Sequence, residues 1–449
     1  MVAKGIAGLS ARVKDQLIQR SLERRLQQTG AESGRAATPR KSEDGATVPE
    51  SFYRFALHPG YQQLRIMHEG GARLGVANPF FKQHQGHVGA TTMIDGRAFI
   101  NYGSYNYLGM AGDPAVTGAA KAAIDRYGTT VSASRLVSGE RPIHREFERA
   151  LADLYGVDDA ITFVSGHATN VTTIGYLFGP RDLVIHDALI HNSTLQGVQL
   201  SGARRLSFAH NDWAALDRML SEQRSSYERV LIVLEGVYSM DGDYPDLPRF
   251  VEVKRRHHAF LMVDEAHSLG VMGANGLGIR EHFSLAGSDV DIWMGTLSKA
   301  LAGCGGYIAG ESALVEHLKF MAPGFLYSVG MPPPMAAASL AALQVMRSEP
   351  QRVRALQQRG AYFLERAKAA GVDTGLSVGL AVIPALTGGS LRAAKLSEAL
   401  FERGINVQPI LYPAVPEKSA RLRFFLTCAH TEAQIDQTII CLSEELARL

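Results

Sequence analysis

Between about residues 160 and 335, short apolar runs alternate with segments of helical spacing. The runs are AITFVS at 160–165, LVIHD at 183–187, RVLIVLE at 229–235, AFLMVDE at 259–265 and DIWMGT at 291–296. Each is apolar on both faces, which predicts an α/β fold: a mostly parallel sheet covered by helices on both sides. Ahead of these runs, Thr91 to Tyr102 alternates apolar and polar about Asp95-Gly96. That pattern predicts a hairpin, because the dipeptide tolerates the positive φ of a two-residue turn. After Pro332-Pro333-Pro334 come a long Ala-rich helix, GLAVIPALTG, a helix near 391–403, INVQPI and ARLRFFLT, which together read as a smaller α+β domain.

At the other end, residues 9–28 have helical spacing with charges on the remaining faces, and 30–50 are rich in Gly, Ser, Ala, Thr and charge, as in a flexible linker. The basic helix reads first as a solvated arm, and second as a docking helix for a partner or a carrier module. The resulting division is an arm and linker over 1–50, a hairpin segment over 51–109, a large domain over 110–335 and a small domain over 336–449.

Composition narrows the function. In 449 residues, 46 Lys and Arg face 44 Asp and Glu, so the formal charge of +2 lacks the electrostatic footprint of a nucleic-acid binder. Cys304, Cys428 and Cys441 are too few and scattered for a disulfide framework or a zinc site, so no metal is expected. No apolar h-region and no run of about 18 apolar residues occurs, which predicts a cytoplasmic protein with no membrane span.

The chemistry is where polar residues end buried strands, since ligands of open α/β sheets sit outside the carboxyl ends. Ser239 follows RVLIVLE, Asp264 and His267 end AFLMVDEAH, and Lys299 follows DIWMGT. Asp264 after a wholly apolar strand is either a capping residue or the counter-ion of a protonated heterocyclic nitrogen. Lys299, among small apolar neighbours in GTLSKALAGCGGY, either snorkels outward or is a poorly solvated amine fit for a Schiff base. Gly166 and His167 open a helix after a strand, where free N–H groups could cradle a phosphate, with the hydroxyls of Thr296 and Ser298 as further contacts. His191 follows another strand and could lie flat against a ring. Arg423 alternates with apolar positions of a late strand and suits a bidentate clamp on a carboxylate. Arg421 shares its phase, and one of the two reads as a surface residue.

The segments NYLGM (106–110), SRLVSGERPIHREFE (134–148), SGHATN, DALIHNSTLQG, HNDW, EGVYSMDGD, VDEAHSLGVMGANGLG, GTLSKALAGCGGY and YSVGMPPP, in this order, resemble the α-oxoamine synthase family. The resemblance runs from about residue 85 to the end. It implies the type I aminotransferase-like fold, a homodimer and pyridoxal 5'-phosphate. Lys299 would attach the cofactor, Asp264 would pair with its ring nitrogen and His191 would stack on the ring. Ser239 and His267 would bond the phenolic oxygen. Gly166, His167 and Thr296 would hold the phosphate, helped by Ser328 from the other subunit. Asn106 and Arg423 would receive the substrate carboxylate. The implied reaction condenses glycine, alanine or serine with an acyl thioester, on coenzyme A or a carrier protein, to give an aminoketone, carbon dioxide and a thiol. An aminotransferase and a non-catalytic partner subunit are the rivals; the first would need an α-keto acid, the second would lack the lysine. His167 stands where many relatives carry Phe or Tyr, and Asn192 where they often carry Ala. With its long N-terminal lead, the pattern is similar to the branch attached to polyketide-type carrier modules.

Overall fold

A computed structural model describes residues 48–449 except Leu74. The helix read over 9–28 and all of the linker before residue 48 lie outside the described residues. The hairpin forms as expected: β2 (Thr91–Ile94) and β3 (Arg97–Asn101) pair antiparallel, with β1 (His84–Gln85) on the outer edge. Asp95 and Gly96 turn between them with φ of 50° and 74°. Only this handedness matches the twist of the flanking strands.

Among the described residues, seven strands make the central sheet: β4 (Asp159–Phe163), β5 (Leu183–Asp187), β6 (Arg204–Phe208), β7 (Val230–Glu235), β8 (Phe260–Asp264), β9 (Ile292–Thr296) and β10 (Gly306–Gly310). Their order is β4-β10-β9-β8-β7-β5-β6. β10 runs antiparallel to both neighbours and every other pairing is parallel. All residues of β5 and β7 are buried, as strands covered on both faces must be. Two strands escaped the apolar-run reading. β6 is an edge strand with exposed arginines, and β10 is the glycine-bounded GYIAG.

The core beneath the sheet is aromatic. Trp293 is fully buried, donates its indole N–H to Gly287 O at 2.8 Å, and stacks on Tyr155. Nearby, the π-helical turn Arg135–Gly139 buries Arg135, which pairs with Glu140 at 2.6 Å and with fully buried Glu148. Glu148 also accepts from Thr162 N at 2.9 Å, so this internal charge is paired and hydrogen-bonded rather than stranded.

The C-terminal part contributes β11 (Val382–Leu386), β12 (Ile405–Asn406), β13 (Gln408–Ile410) and β14 (Arg421–Phe425). β11, β14 and β13 form a three-stranded antiparallel sheet. β12 instead runs parallel to β3, so the hairpin segment and the C-terminal part share one sheet. Tyr102 locks that junction: its ring lies 4.6 Å from His430 and 5.2 Å from Phe424, and its hydroxyl donates to Thr438 at 3.0 Å. The Ala-rich helix Pro333–Ser348 joins the large and small parts. None of the described helices is long and apolar enough to cross a membrane.

Candidate active site

The carboxyl ends of β7, β8 and β9 set Glu235, Asp264 and Thr296 along one edge of the sheet. The loops that follow carry Ser239, His267, Ser298 and Lys299. On the flank, β4 runs into Ser165, which caps helix Gly166–Leu177 by accepting from Ala168 N at 3.3 Å. His191 caps the next helix, Asn192–Ser201. All of these residues, with His167, Tyr105, Asn170 and Arg423, line one cavity of about 360 Å³. A larger hollow of about 530 Å³ lies at the opposite ends of the strands, beside Phe260 and Ile292; it gathers none of the residues read as reactive.

Asp264 is buried and well supplied with donors. Its Oδ1 accepts from Ala266 N at 3.0 Å and its Oδ2 from the Asn170 amide at 2.9 Å. The same amide donates to Ser193 Oγ, which meets His191 Nδ1 at 2.8 Å. This chain from Asp264 to His191 fixes the imidazole against the cavity. Burial lowers the pKa of His191; Asp264 opposes that and Lys299 adds to it, so the ring is neutral at physiological pH. His267 is held well below the usual range by burial, and its Nδ1 meets the Tyr107 hydroxyl at 2.7 Å.

Lys299 lies on a tight loop closed by Leu297 N to Gly305 O at 2.9 Å and Gly303 N to Leu297 O at 2.7 Å. Burial brings its pKa down to about 8, although Asp264 and Glu235 pull the other way. Its side chain lines the cavity, and about a tenth of the amine is neutral at pH 7. Gly166 packs so closely on β9 that a Cβ there would fall 2.7 Å from Thr296 Oγ1, which is why the helix begins on glycine. The first N–H groups of that helix have no carbonyl a turn earlier to bond, and they sit beside the Thr296 and Ser298 hydroxyls.

Neither C-terminal arginine is a surface residue, which corrects that expectation. Arg421 is buried against Asp241 at 2.9 Å and Met240 O at 3.2 Å, and it ties β14 to the loop after β7. Arg423 lines the cavity, donates from one terminal nitrogen to Ser239 O at 2.9 Å, and keeps a buried Nε with no partner. Two other candidates lie elsewhere. Asn106 spends its carboxamide on Val88 O and Ala111 N, outside the cavity lining, where Tyr105 takes its place. Ser328 sits in a shallow surface hollow with Ser132 and Tyr327. The reading also passed over Asn170, Ser193 and Glu235. The signal for Glu235 was available, since VLIVLE and FLMVD both end on a carboxylate.

A family model for aminotransferase class I and II matches residues 97–440. The chain is 41% identical over 348 residues to an 8-amino-7-oxononanoate synthase of Symbiobacterium thermophilum, covering 78% of this chain and 88% of that one. It is equally identical over 351 residues to that of Fervidobacterium nodosum, with the same two shares. A serine palmitoyltransferase variant from S. paucimobilis with a bound PLP–myriocin aldimine superposes with a TM-score of 0.83 at 29% identity, over 87% of this chain and 99% of that one. The chain belongs to the α-oxoamine synthase family. The cavity of this α-oxoamine synthase fits pyridoxal phosphate on its own evidence. A donor-fed carboxylate, a half-buried amine, a glycine-opened helix N-terminus and a neutral imidazole share one space. The buried Asn170 Oδ1, Glu235 Oε1 and Arg423 Nε have no partner within the protein.

One step behind the cavity, His210 of the HNDW segment bridges Asp187 and Asp243 at 2.8 Å on each side, holding the loop that carries Ser239. Burial alone would lower its pKa, but the two carboxylates prevail and lift it from 6.5 to about 10. A raised folded-state pKa means that this stabilisation is full below about pH 6.5 and is lost as pH climbs through about 10. His210→Asn is expected to cost about 2 kcal/mol at pH 6 in denaturant unfolding, with the difference from wild type shrinking towards pH 10.

Proposed function

We propose that this protein joins a small amino acid to an acyl thioester, releasing carbon dioxide and the thiol and leaving an aminoketone, with pyridoxal phosphate as cofactor. The observation that carries the reading is the meeting of Lys299, Asp264, His191, His267, Ser239 and Arg423 in one cavity. When bound, pyridoxal phosphate supplies an electron sink for the charge that develops on the α-carbon of the amino acid.

The chain's own residues do the rest. Lys299, partly neutral near pH 8, accepts the α-proton and returns it. Asp264, whose oxygens accept from Asn170 and Ala266 N, would hold a proton on the ring nitrogen. His191 would cover one face of the ring, and Ser239 and His267 would take the phenolic oxygen. Gly166, His167, Thr296 and Ser298 would hold the phosphate. A second copy of the chain would bring Ser328 to that phosphate; support comes from the exposed apolar Tyr327, Val329 and Val137 in the region around Ser328. Arg423, which lines the cavity, would clamp the carboxylate of the amino acid. A cavity of about 360 Å³ is near the small end of ligand sites, about 300–1,000 Å³, so the acyl chain must extend toward the mouth.

Arg423→Lys replaces a planar fork with a point charge and is expected to raise KM for the amino acid about tenfold or more while kcat changes less. Steady-state kinetics at saturating thioester measures this. The function itself is tested by giving the loaded protein glycine, alanine or serine and then acyl-CoA, following thiol and carbon dioxide release. Stoichiometric release of both with one amino acid supports the reading. Turnover that depends on an α-keto acid and releases no carbon dioxide would make the protein an aminotransferase.

A further inference from the structure

Glu235 has no part in the mechanism above, yet it lies inside the same cavity. It ends β7 as Asp264 ends β8, and the two are Cα partners in the parallel ladder. Their side chains therefore leave the same face of the sheet side by side. Both are buried. Their surroundings differ sharply. Asp264 accepts from Asn170 and from Ala266 N, at 2.9 and 3.0 Å. Glu235 is met only by backbone N–H groups, those of Ser239 at a long 3.3 Å and of His191, and its Oε1 is buried with no partner at hydrogen-bond geometry. Two carboxylates side by side in a dry site do not both ionise, and the one with more donors keeps the charge.

We propose that Glu235 is a positioning residue of the active site: a neutral acid that leaves the pair's single negative charge on Asp264 and turns its own O–H toward the cavity. The inference rests on the role given to Asp264 above. Burial first, and Asp264 second, lift the Glu235 carboxyl to about 8, with Lys299 acting against them. The charged and titratable groups facing it are Asp264, Lys299, Arg423, His191, His267 and Tyr238. The consequence falls on Lys299. A second carboxylate here would hold the lysine protonated, so a neutral Glu235 keeps the amine available as a base. It also leaves Asp264 as the group that sets the charge under the ring.

The test is infrared difference spectroscopy of the cofactor-loaded full chain, titrated from about pH 6.5 to about pH 9.5. A protonated-carboxyl C=O band that fades with a midpoint near 8 and is missing from Glu235→Gln is the expected result. Glu235→Gln, which keeps a neutral donor, should also exceed Glu235→Ala in kcat/KM by about tenfold. No such band, or a band that survives in Glu235→Gln, overturns the proposal, as does Glu235→Gln falling to the level of Glu235→Ala. The band is read without turnover. Its presence in a protein that releases no thiol would keep Glu235 as the neutral acid and remove only the reaction.

Discussion

Lys299→Ala is expected to lower turnover by about 10³–10⁴-fold and to abolish the visible absorbance that marks covalent attachment of the cofactor. Lys299 is a half-buried amine on a loop pinned at Leu297 and Gly303, so no neighbouring base can swing into its position. His191 and His267 line the same cavity, but each imidazole is already engaged, by Ser193 and by Tyr107. Lys299→Arg should not rescue, because a guanidinium stays protonated and cannot attack a carbonyl. Removing the side chain takes away a half-buried amine and leaves the sheet untouched, so thermal unfolding of the cofactor-free protein should move little. Retention of full turnover by Lys299→Ala would end the assignment.

Asp264→Asn is expected to cost about 10²–10³-fold in kcat, with weaker retention of the cofactor on gel filtration. The amide is nearly the same shape and can still accept from Asn170, so the chain through Ser193 to His191 survives. What disappears is the negative charge that holds a proton on the ring nitrogen. Asp264→Ala should be worse, since it also strands the buried Asn170 amide. Equal rates for Asp264→Asn and wild type would show that the charge is dispensable, and the electronic role given to Asp264 would fall with it.

Much of this architecture is readable along the chain because buried strands announce themselves as apolar runs. β5, β7, β8 and β9 are such runs, and the residues that terminate β7, β8 and β9 share a cavity. β6 gave no signal, because an edge strand open to water can carry Arg204 and Arg205 without penalty. Arg421 and Arg423 could not be told apart by alternation, since both point inward and differ only in partner: Asp241 for one, an open cavity for the other. Asn106 sits in a motif of the family, but hydrogen bonds to backbone groups at residues 88 and 111 decide where its amide points. No spacing rule reports such contacts.

The parallel pairing of β3 with β12 also sets a timetable. Asn101 and Asn406, which bond across it at 2.8 Å, are 305 positions apart. During synthesis at about 5–20 residues per second, the finished hairpin must wait about 15–60 s before its partner strand emerges. Until then β3 presents an unsatisfied edge, whereas the β5–β9 layer can assemble from near neighbours. The sheet of β3 and β12 therefore closes only after every strand of the central sheet, the last ending at Gly310, has been made.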